Sequence, residues 1–292
     1  MPAISKTRSA AYLFLILNTA LWGFGAPIIK YSLGFTTPTV FLLYRYIIAS
    51  LIFFPIFLVH RAGSPRPMNF KHLIVLALLG TPLTLLPLFY GLTQTTSIEA
   101  SLLVSSSPIF TVLGGIFFLK EKITGRELRG ILIAVMGTLL LTLEPLFSGS
   151  GGPGSLSLKG NLLIVISNII WASFLILSKK DHVDPISLSF VSFVISIPFF
   201  LLFSLLNHSG LSVSGQALPG IFYMAICGSI IAFWAYQEGQ KRIEASEAAI
   251  FTYLQPAFSI PLSLIWLKEP FSPLTMLATG IIVTGVYLSE RR

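Results

Sequence analysis

Ten apolar stretches, each roughly 18 to 25 residues long and nearly free of charge, follow one another along this chain, and each is long enough to cross a hydrocarbon core of about 30 Å. They fall near residues 10–30, 37–59, 72–92, 98–119, 128–146, 160–178, 185–206, 218–238, 247–267 and 271–289. In lipid the backbone must satisfy its own hydrogen bonds, so runs of this length are read as helices. Charged residues make up only 10% of the chain, against about 25% in a soluble domain. The expected fold class is therefore an all-α integral membrane protein with ten transmembrane helices.

The net charge of +8 would suit a nucleic-acid binder if the basic residues formed a surface, but they sit in short segments between apolar runs. With a cytoplasmic amino terminus, Lys6, Arg8, Arg61, Arg66, Lys71, Lys120, Lys122, Arg126, Arg129, Lys179, Lys180, Lys241, Arg242, Arg291 and Arg292 all fall inside. Only Lys30, Lys159 and Lys268 fall outside, and Arg45 lies within helix 2. This bias places both termini in the cytoplasm and supports an even number of spans. The first stretch, from Ser9 to Ile29, is longer than a signal-peptide apolar region and reads as an uncleaved helix. A single cysteine, Cys227, excludes an internal disulfide. His60, His72, His182 and His208 are too irregularly spaced to ligate a metal, so neither metal nor cofactor is expected.

Sliding the chain against itself by 148 positions pairs Gly80 with Gly228, Gly91 with Gly239, Glu99 with Glu247, Ala100 with Ala248, Pro108 with Pro256, Phe110 with Phe258 and Gly137 with Gly285. The same offset pairs Leu119-Lys120-Glu121 with Leu267-Lys268-Glu269. Apolar composition alone would not match Glu-Ala, Pro and Leu-Lys-Glu together, so the halves are related. Residues 1–147 form the first repeat, 148–157 a Gly/Ser/Pro linker and 158–292 the second repeat. Five helices per half is odd, so the second copy enters the membrane from the opposite side. Inverted repeats of this kind host solute sites at their interface in many secondary transporters, although they also serve as stable scaffolds.

These residues resemble the EamA family of the drug/metabolite transporter superfamily. The resemblance rests on Ala20-Leu21-Trp22-Gly23, Tyr44-Arg45-Tyr46-Ile47-Ile48-Ala49-Ser50, Ser97-Ile98-Glu99-Ala100-Ser101-Leu102, Pro108-Ile109-Phe110, both Leu-Lys-Glu triplets, Glu247-Ala248 and Pro256. It implies a plasma (inner) membrane carrier, often an exporter, for metabolites such as amino acids. It also implies a central site lined by helices 1, 3, 4, 6, 8 and 9. Four-helix multidrug relatives use a carboxylate in the first helix; this chain has none between Arg8 and Lys30.

Asn18 with Trp22, and Asn168 with Trp171, stand about one turn apart in helices 1 and 6. An amide beside an indole can line a cavity for an amphipathic solute, or simply tie helices together. Pro108 and Pro256 each remove a backbone donor in mid-helix. Ser105 before the first, and Tyr253 and Gln255 before the second, then become candidate binding groups. The rival reading is a kink re-satisfied by side-chain hydroxyls. Arg45 lies about 12 Å into helix 2, where it is either a ligand for a solute carboxylate or the structural partner of Glu99. Tyr90 and Trp234, late in helices 3 and 8, complete the substrate-binding candidates. Glu99 and Glu247 are candidates for coupling or gating, with helix-dipole stabilisation as the rival reading. Glu238 is expected to pair at the interface with Lys241 or Arg242. Gly114, Gly115, Gly280 and Gly285 are expected at close helix packings.

An intramembrane enzyme would need a Ser/His pair, paired aspartates or a metal constellation at depth, and none is visible in the helices. The reading is a secondary transporter of small neutral or zwitterionic metabolites working by alternating access, with protons as the candidate coupling ion. The alternatives are a non-transporting scaffold or assembly subunit and an intramembrane enzyme. The partners are a small solute and the lipid bilayer, with no nucleic acid.

Overall fold

The computed structural model describes residues 6–63, 70–119, 124–147, 157–181, 184–240, 242–243 and 251–290. All elements among them are helical. Eight are long and apolar enough to cross a membrane: α1 (Arg8–Ser32), α2 (Pro38–Gly63), α3 (Lys71–Gln94), α4 (Ser97–Phe118), α5 (Gly125–Phe147), α6 (Leu158–Ser178), α7 (Pro185–Leu206) and α8 (Leu218–Gly239). Two shorter apolar helices follow, α9 (Phe251–Leu267) and α10 (Pro273–Leu288). The linker at 148–157, apart from Ser157, and Glu247 in the expected ninth stretch lie outside the described residues.

Local chemistry sets the helix ends. Thr124 and Glu127 form a reciprocal capping box at α5, with the Thr124 amide donating to Glu127 Oε2 at 2.7 Å and the Glu127 amide to Thr124 Oγ1 at 3.2 Å. At α7, Asp184 accepts from the Ser187 amide at 2.9 Å and Pro185 takes the first helical position. The same Asp184 carboxylate lies 3.0 Å from His60 Nε2, joining the end of α2 to the start of α7. Arg242 pairs with Glu238 at 2.8 Å, as the expected ion pair requires; Lys241 lies outside the described residues.

Long side chains such as Phe117, Phe118 and Ile265 point outward, as expected of a bundle whose solvent is lipid. Inside, α5 packs on α10 and α2 on α7. The first helix of each half packs on the third and fourth of the other, with α1 against α8 and α9 and α6 against α3 and α4. Glycine makes the α5–α10 crossing possible. A Cβ on Gly285 would lie 2.4 Å from the Ala134 backbone nitrogen, and one on Gly137 would lie 2.9 Å from that of Ile282. Gly114 likewise abuts Ile176, but Gly280 faces open space and is not a packing position. It sits on the lipid-facing side of α10, which helix periodicity in a uniformly apolar sequence does not reveal.

Candidate functional site

Where α1, α2, α3, α4, α6, α8 and α9 meet they leave a cavity of about 150 Å3. That volume is comparable to one that holds a benzene-sized molecule and below the roughly 300 Å3 of drug-sized sites. The helices around it are not regular. The hydrogen-bond register of α3 widens to a π-helix over Leu79–Leu83, and that of α8 does so over Met224–Ile231. The two segments overlap under the 148-residue offset, which pairs Gly80 with Gly228. Thr81, Thr84 and Ser229 bond back to carbonyls of the same helices here. Thr81 Oγ1 donates to the Ala77 carbonyl at 2.6 Å, Thr84 Oγ1 to that of Leu79 at 2.5 Å and Ser229 Oγ to that of Met224 at 3.0 Å. π segments within α-helices recur at functional sites.

Helix α4 breaks at Ser106, just before Pro108, and resumes over Ser107–Leu119. Ser105 Oγ and Ser106 Oγ donate to the Leu102 and Leu103 carbonyls, and Asn168 Nδ2 crosses from α6 to the Leu103 carbonyl at 2.6 Å. Helix α9 shows the corresponding break, a 3-10 turn over Phe251–Leu254 followed by α-helix from Gln255, with Pro256 in its first turn. The hydroxyls at the first break therefore serve the backbone. Gln255, by contrast, is buried at the cavity wall and its amide makes no hydrogen bond among the described residues.

Arg45 is 3% exposed and lines the cavity from α2. Its Nε donates to Ser229 Oγ at 2.8 Å and its guanidinium stacks 5.2 Å from the Tyr46 ring centroid. No carboxylate among the described residues stands within salt-bridge distance of it. The expected pairing with Glu99 does not occur: the Glu99 carboxylate lies outside the cavity lining, against Thr95 and Glu144. An aromatic group bounds the cavity. Trp22 lies edge-on to Trp171 at 6.3 Å and to Phe233 at 5.6 Å, and is tilted against Tyr236 at 5.8 Å. Trp22 Nε1 is spent on the Gly228 carbonyl at 2.9 Å, so the ring presents apolar surface.

The cavity thus gathers Trp22, Arg45, Asn168, Trp171 and Gln255 from among the sequence candidates. Others are placed elsewhere. Asn18 ties α1 to the Ala232 carbonyl of α8 at 2.9 Å. Tyr90 accepts from Asn207 Nδ2 at 3.0 Å beyond the cavity. Ser105, Pro108 and Pro256 shape the helix breaks, and Tyr253 packs against the apolar core. Trp234 is 49% exposed and packs edge-on against Phe14 on the outer surface. Glu247 lies outside the described residues.

A family model described as the EamA-like transporter family matches residues 9–143 and again residues 158–291. The chain belongs to the EamA-like transporter family. Similar proteins include an uncharacterized transporter, YetK, of Bacillus subtilis (strain 168), 28% identical over 84% of this chain and 76% of the relative. An uncharacterized transporter of Archaeoglobus fulgidus is 27% identical over 98% of this chain and 99% of its own. A probable amino-acid metabolite efflux pump of Escherichia coli (strain K12) is 24% identical over 94% of this chain and 92% of its own. A solved crystal structure shares the fold, with a TM-score of 0.71 at 21% identity over 97% of this chain and 96% of that one. This EamA-like protein is accordingly a multi-pass membrane transporter for small solutes rather than an enzyme.

Sequence reasoning about this EamA-like transporter missed Tyr46, Thr81, Thr84, Ser101, Ser167 and Phe233, all of which reach the cavity. The available signal was the Gly80–Gly228 match, which marks the π segments that turn α3 and α8 around the site.

Proposed function

We propose that this protein is a plasma-membrane carrier, working as an exporter by alternating access, for small neutral or zwitterionic metabolites, amino acids foremost. In this reading it has ten spans, both termini are cytoplasmic, and residues 1–147 and 158–292 are inverted five-helix repeats. The reciprocal packing of α1 and α6 on the opposite halves supports this arrangement.

The observation that carries the substrate class is Arg45. A buried guanidinium on a cavity wall, with its Nη groups unpaired by any acid among the described residues, offers a bidentate seat for a carboxylate. Gln255 offers an uncommitted amide in the same cavity, and Trp22, Trp171 and Phe233 offer apolar faces. Among the described residues one guanidinium lines the cavity, which disfavours phosphorylated or multiply anionic cargo. The similarity to a probable amino-acid metabolite efflux pump points the same way.

The test is solute release from proteoliposomes loaded with a mixed panel of amino acids, other monocarboxylates, amines and sugar phosphates, read by mass spectrometry against protein-free vesicles. Selective loss of amino acids supports the reading. Selective loss of amines or sugar phosphates, or retention of the whole panel by folded protein, overturns it.

A further inference from the structure

Away from the cavity, at the end of the bundle where α3 gives way to α4, two carboxylates are buried together. Glu99 in the first turn of α4 is 1% exposed and Glu144 in the last turn of α5 is fully buried. The side chains of Glu144 and Asn161 both interact with the Glu99 carboxylate. The donors around them are unequally shared. Glu144 accepts from Ser272 Oγ and, at 2.9–3.0 Å, from Thr275 Oγ1, both at the start of α10. Glu99 Oε2 accepts from Thr95 Oγ1. Among the described residues neither Glu99 Oε1 nor Asn161 Oδ1 has a donor, although both atoms are buried.

Rotating the Asn161 amide does not repair this mismatch. Pro145 has no N–H to give the Leu141 carbonyl four residues earlier. Asn161 Nδ2 fills that vacancy at 3.2 Å, with the Thr142 carbonyl at 3.5 Å. A flipped amide would set Oδ1 against two carbonyl oxygens. The amide is therefore fixed with its nitrogen toward those carbonyls, and it leaves both Asn161 Oδ1 and Glu99 Oε1 without a donor while Glu144 stands against the Glu99 carboxylate. One hydrogen on Glu99 Oε1 turns that atom into a donor and resolves the conflict, and it removes the repulsion of two adjacent anions in a low-dielectric interior.

We infer that Glu99, Glu144 and Asn161 form a proton-binding site in which Glu99 Oε1 carries a single proton. Among the described residues, the charged groups facing this cluster do not supply a counter-ion. From α1, Lys30 Nζ donates to the Leu92 and Thr95 carbonyls at 2.8 and 2.6 Å. After α9, Glu269 is occupied by Ser97 and Ile98. Lys159 in the first turn of α6 is exposed. The described faces of α3 and α10 bring hydroxyls rather than charges. On the transport reading above, the proton is the coupling ion. The cluster ties α4, α5, α6 and the start of α10 at one end of the bundle, so release of the proton loosens the packing that opens or closes that end.

The test is infrared spectroscopy of the purified, folded full chain at neutral pH, which resolves the carbonyl stretch of a protonated carboxyl from ionised carboxylates. The wild type is expected to show that band, Glu99→Gln to lose it and Glu144→Gln to keep it. Absence of any band removed by Glu99→Gln overturns the site, as does a band that vanishes when sodium replaces a large organic cation, because a metal ion would then be the occupant. In proteoliposomes, an imposed pH gradient is expected to accelerate wild-type flux and leave Glu99→Gln flux unchanged. Wild-type flux indifferent to the gradient overturns the coupling role. Absence of all flux would instead overturn the carrier reading, with the infrared band still deciding the proton site.

Discussion

The Glu269 carboxylate, just beyond the end of α9, closes the amino-terminal end of α4 by accepting from the Ser97 backbone N–H at 2.9 Å. It also accepts from the Ile98 N–H at 3.1 Å and from Ser97 Oγ at 2.7 Å. The left-handed turn at Lys268, φ 53°, folds the chain back so that the glutamate can reach. The second Leu-Lys-Glu triplet thus acts as a cap from outside the helix, placing a negative charge where the α4 dipole is positive. Its repeat mate, residues 119–121, falls at or beyond the edge of the described residues.

Removing that cap has an expected cost. Glu269→Ala should lower stability by about 1–2 kcal/mol, the range for losing a charged helix cap, and Glu269→Gln should fall between it and the wild type. Thermal unfolding of detergent-solubilised protein measures this. A Glu269→Ala variant melting with the wild type would mean that Ser97 and Ile98 find equivalent acceptors in its absence.

The α5–α10 crossing gives a paired prediction. Gly285→Ala sets a methyl group against the Ala134 backbone, where nothing flexible can yield. Overpacking of this kind costs about 1–3 kcal/mol. Gly280→Ala, one turn away in the same helix with open space around it, should be neutral or stabilising by up to about 1 kcal/mol through helix propensity. Equal melting temperatures for the two variants would contradict the crossing geometry.

The Asp184–His60 link makes an acid-range prediction. Burial works against the Asp184 carboxylate, but hydrogen bonds from Ser187 and the neighbouring His60 outweigh it and hold the carboxyl below its usual value. A carboxyl depressed in the folded state contributes stability that is complete above its unfolded value of about 3.9 and is lost as pH falls through the lower folded value. Wild-type stability should therefore decline below about pH 4, and Asp184→Asn should remove that part of the decline while lowering stability at neutral pH. Parallel pH curves for the two proteins would show that the link contributes nothing.

Much of this architecture is legible in the sequence because a bilayer imposes length and charge rules that leave direct traces. The rotation of each helix about its axis leaves far less. In segments apolar all round, no polar face shows which side looks inward, so Trp171 and Trp234 read alike although one lines the cavity and the other meets the outer surface. The π segments have no compositional signature beyond Gly80 and Gly228, and they decide that Thr84 and Ser229 turn toward the site. Glu144 was equally opaque. Near the end of α5 it looks interfacial, and only the packing of α10 against α5 encloses it beside Glu99.

Arg45 offers the sharpest separation of binding from folding. Its one side-chain hydrogen bond among the described residues, to Ser229, uses Nε, while the Nη groups are the donors left for a solute carboxylate. Arg45→Lys keeps the charge but loses the planar fork and the stacking on Tyr46. Arg45→Gln removes the charge and, with it, a buried cation that has no acid beside it among the described residues. If the guanidinium is the carboxylate seat, Arg45→Gln should melt at or above the wild-type temperature and yet lose carboxylate flux by at least about tenfold, since a charge-assisted hydrogen bond contributes roughly 1.5–3 kcal/mol. Arg45→Lys should retain flux with a raised half-saturation concentration. Flux at the wild-type level through folded Arg45→Gln would place the solute's carboxylate elsewhere in the cavity, with the Gln255 amide as the next group to vary.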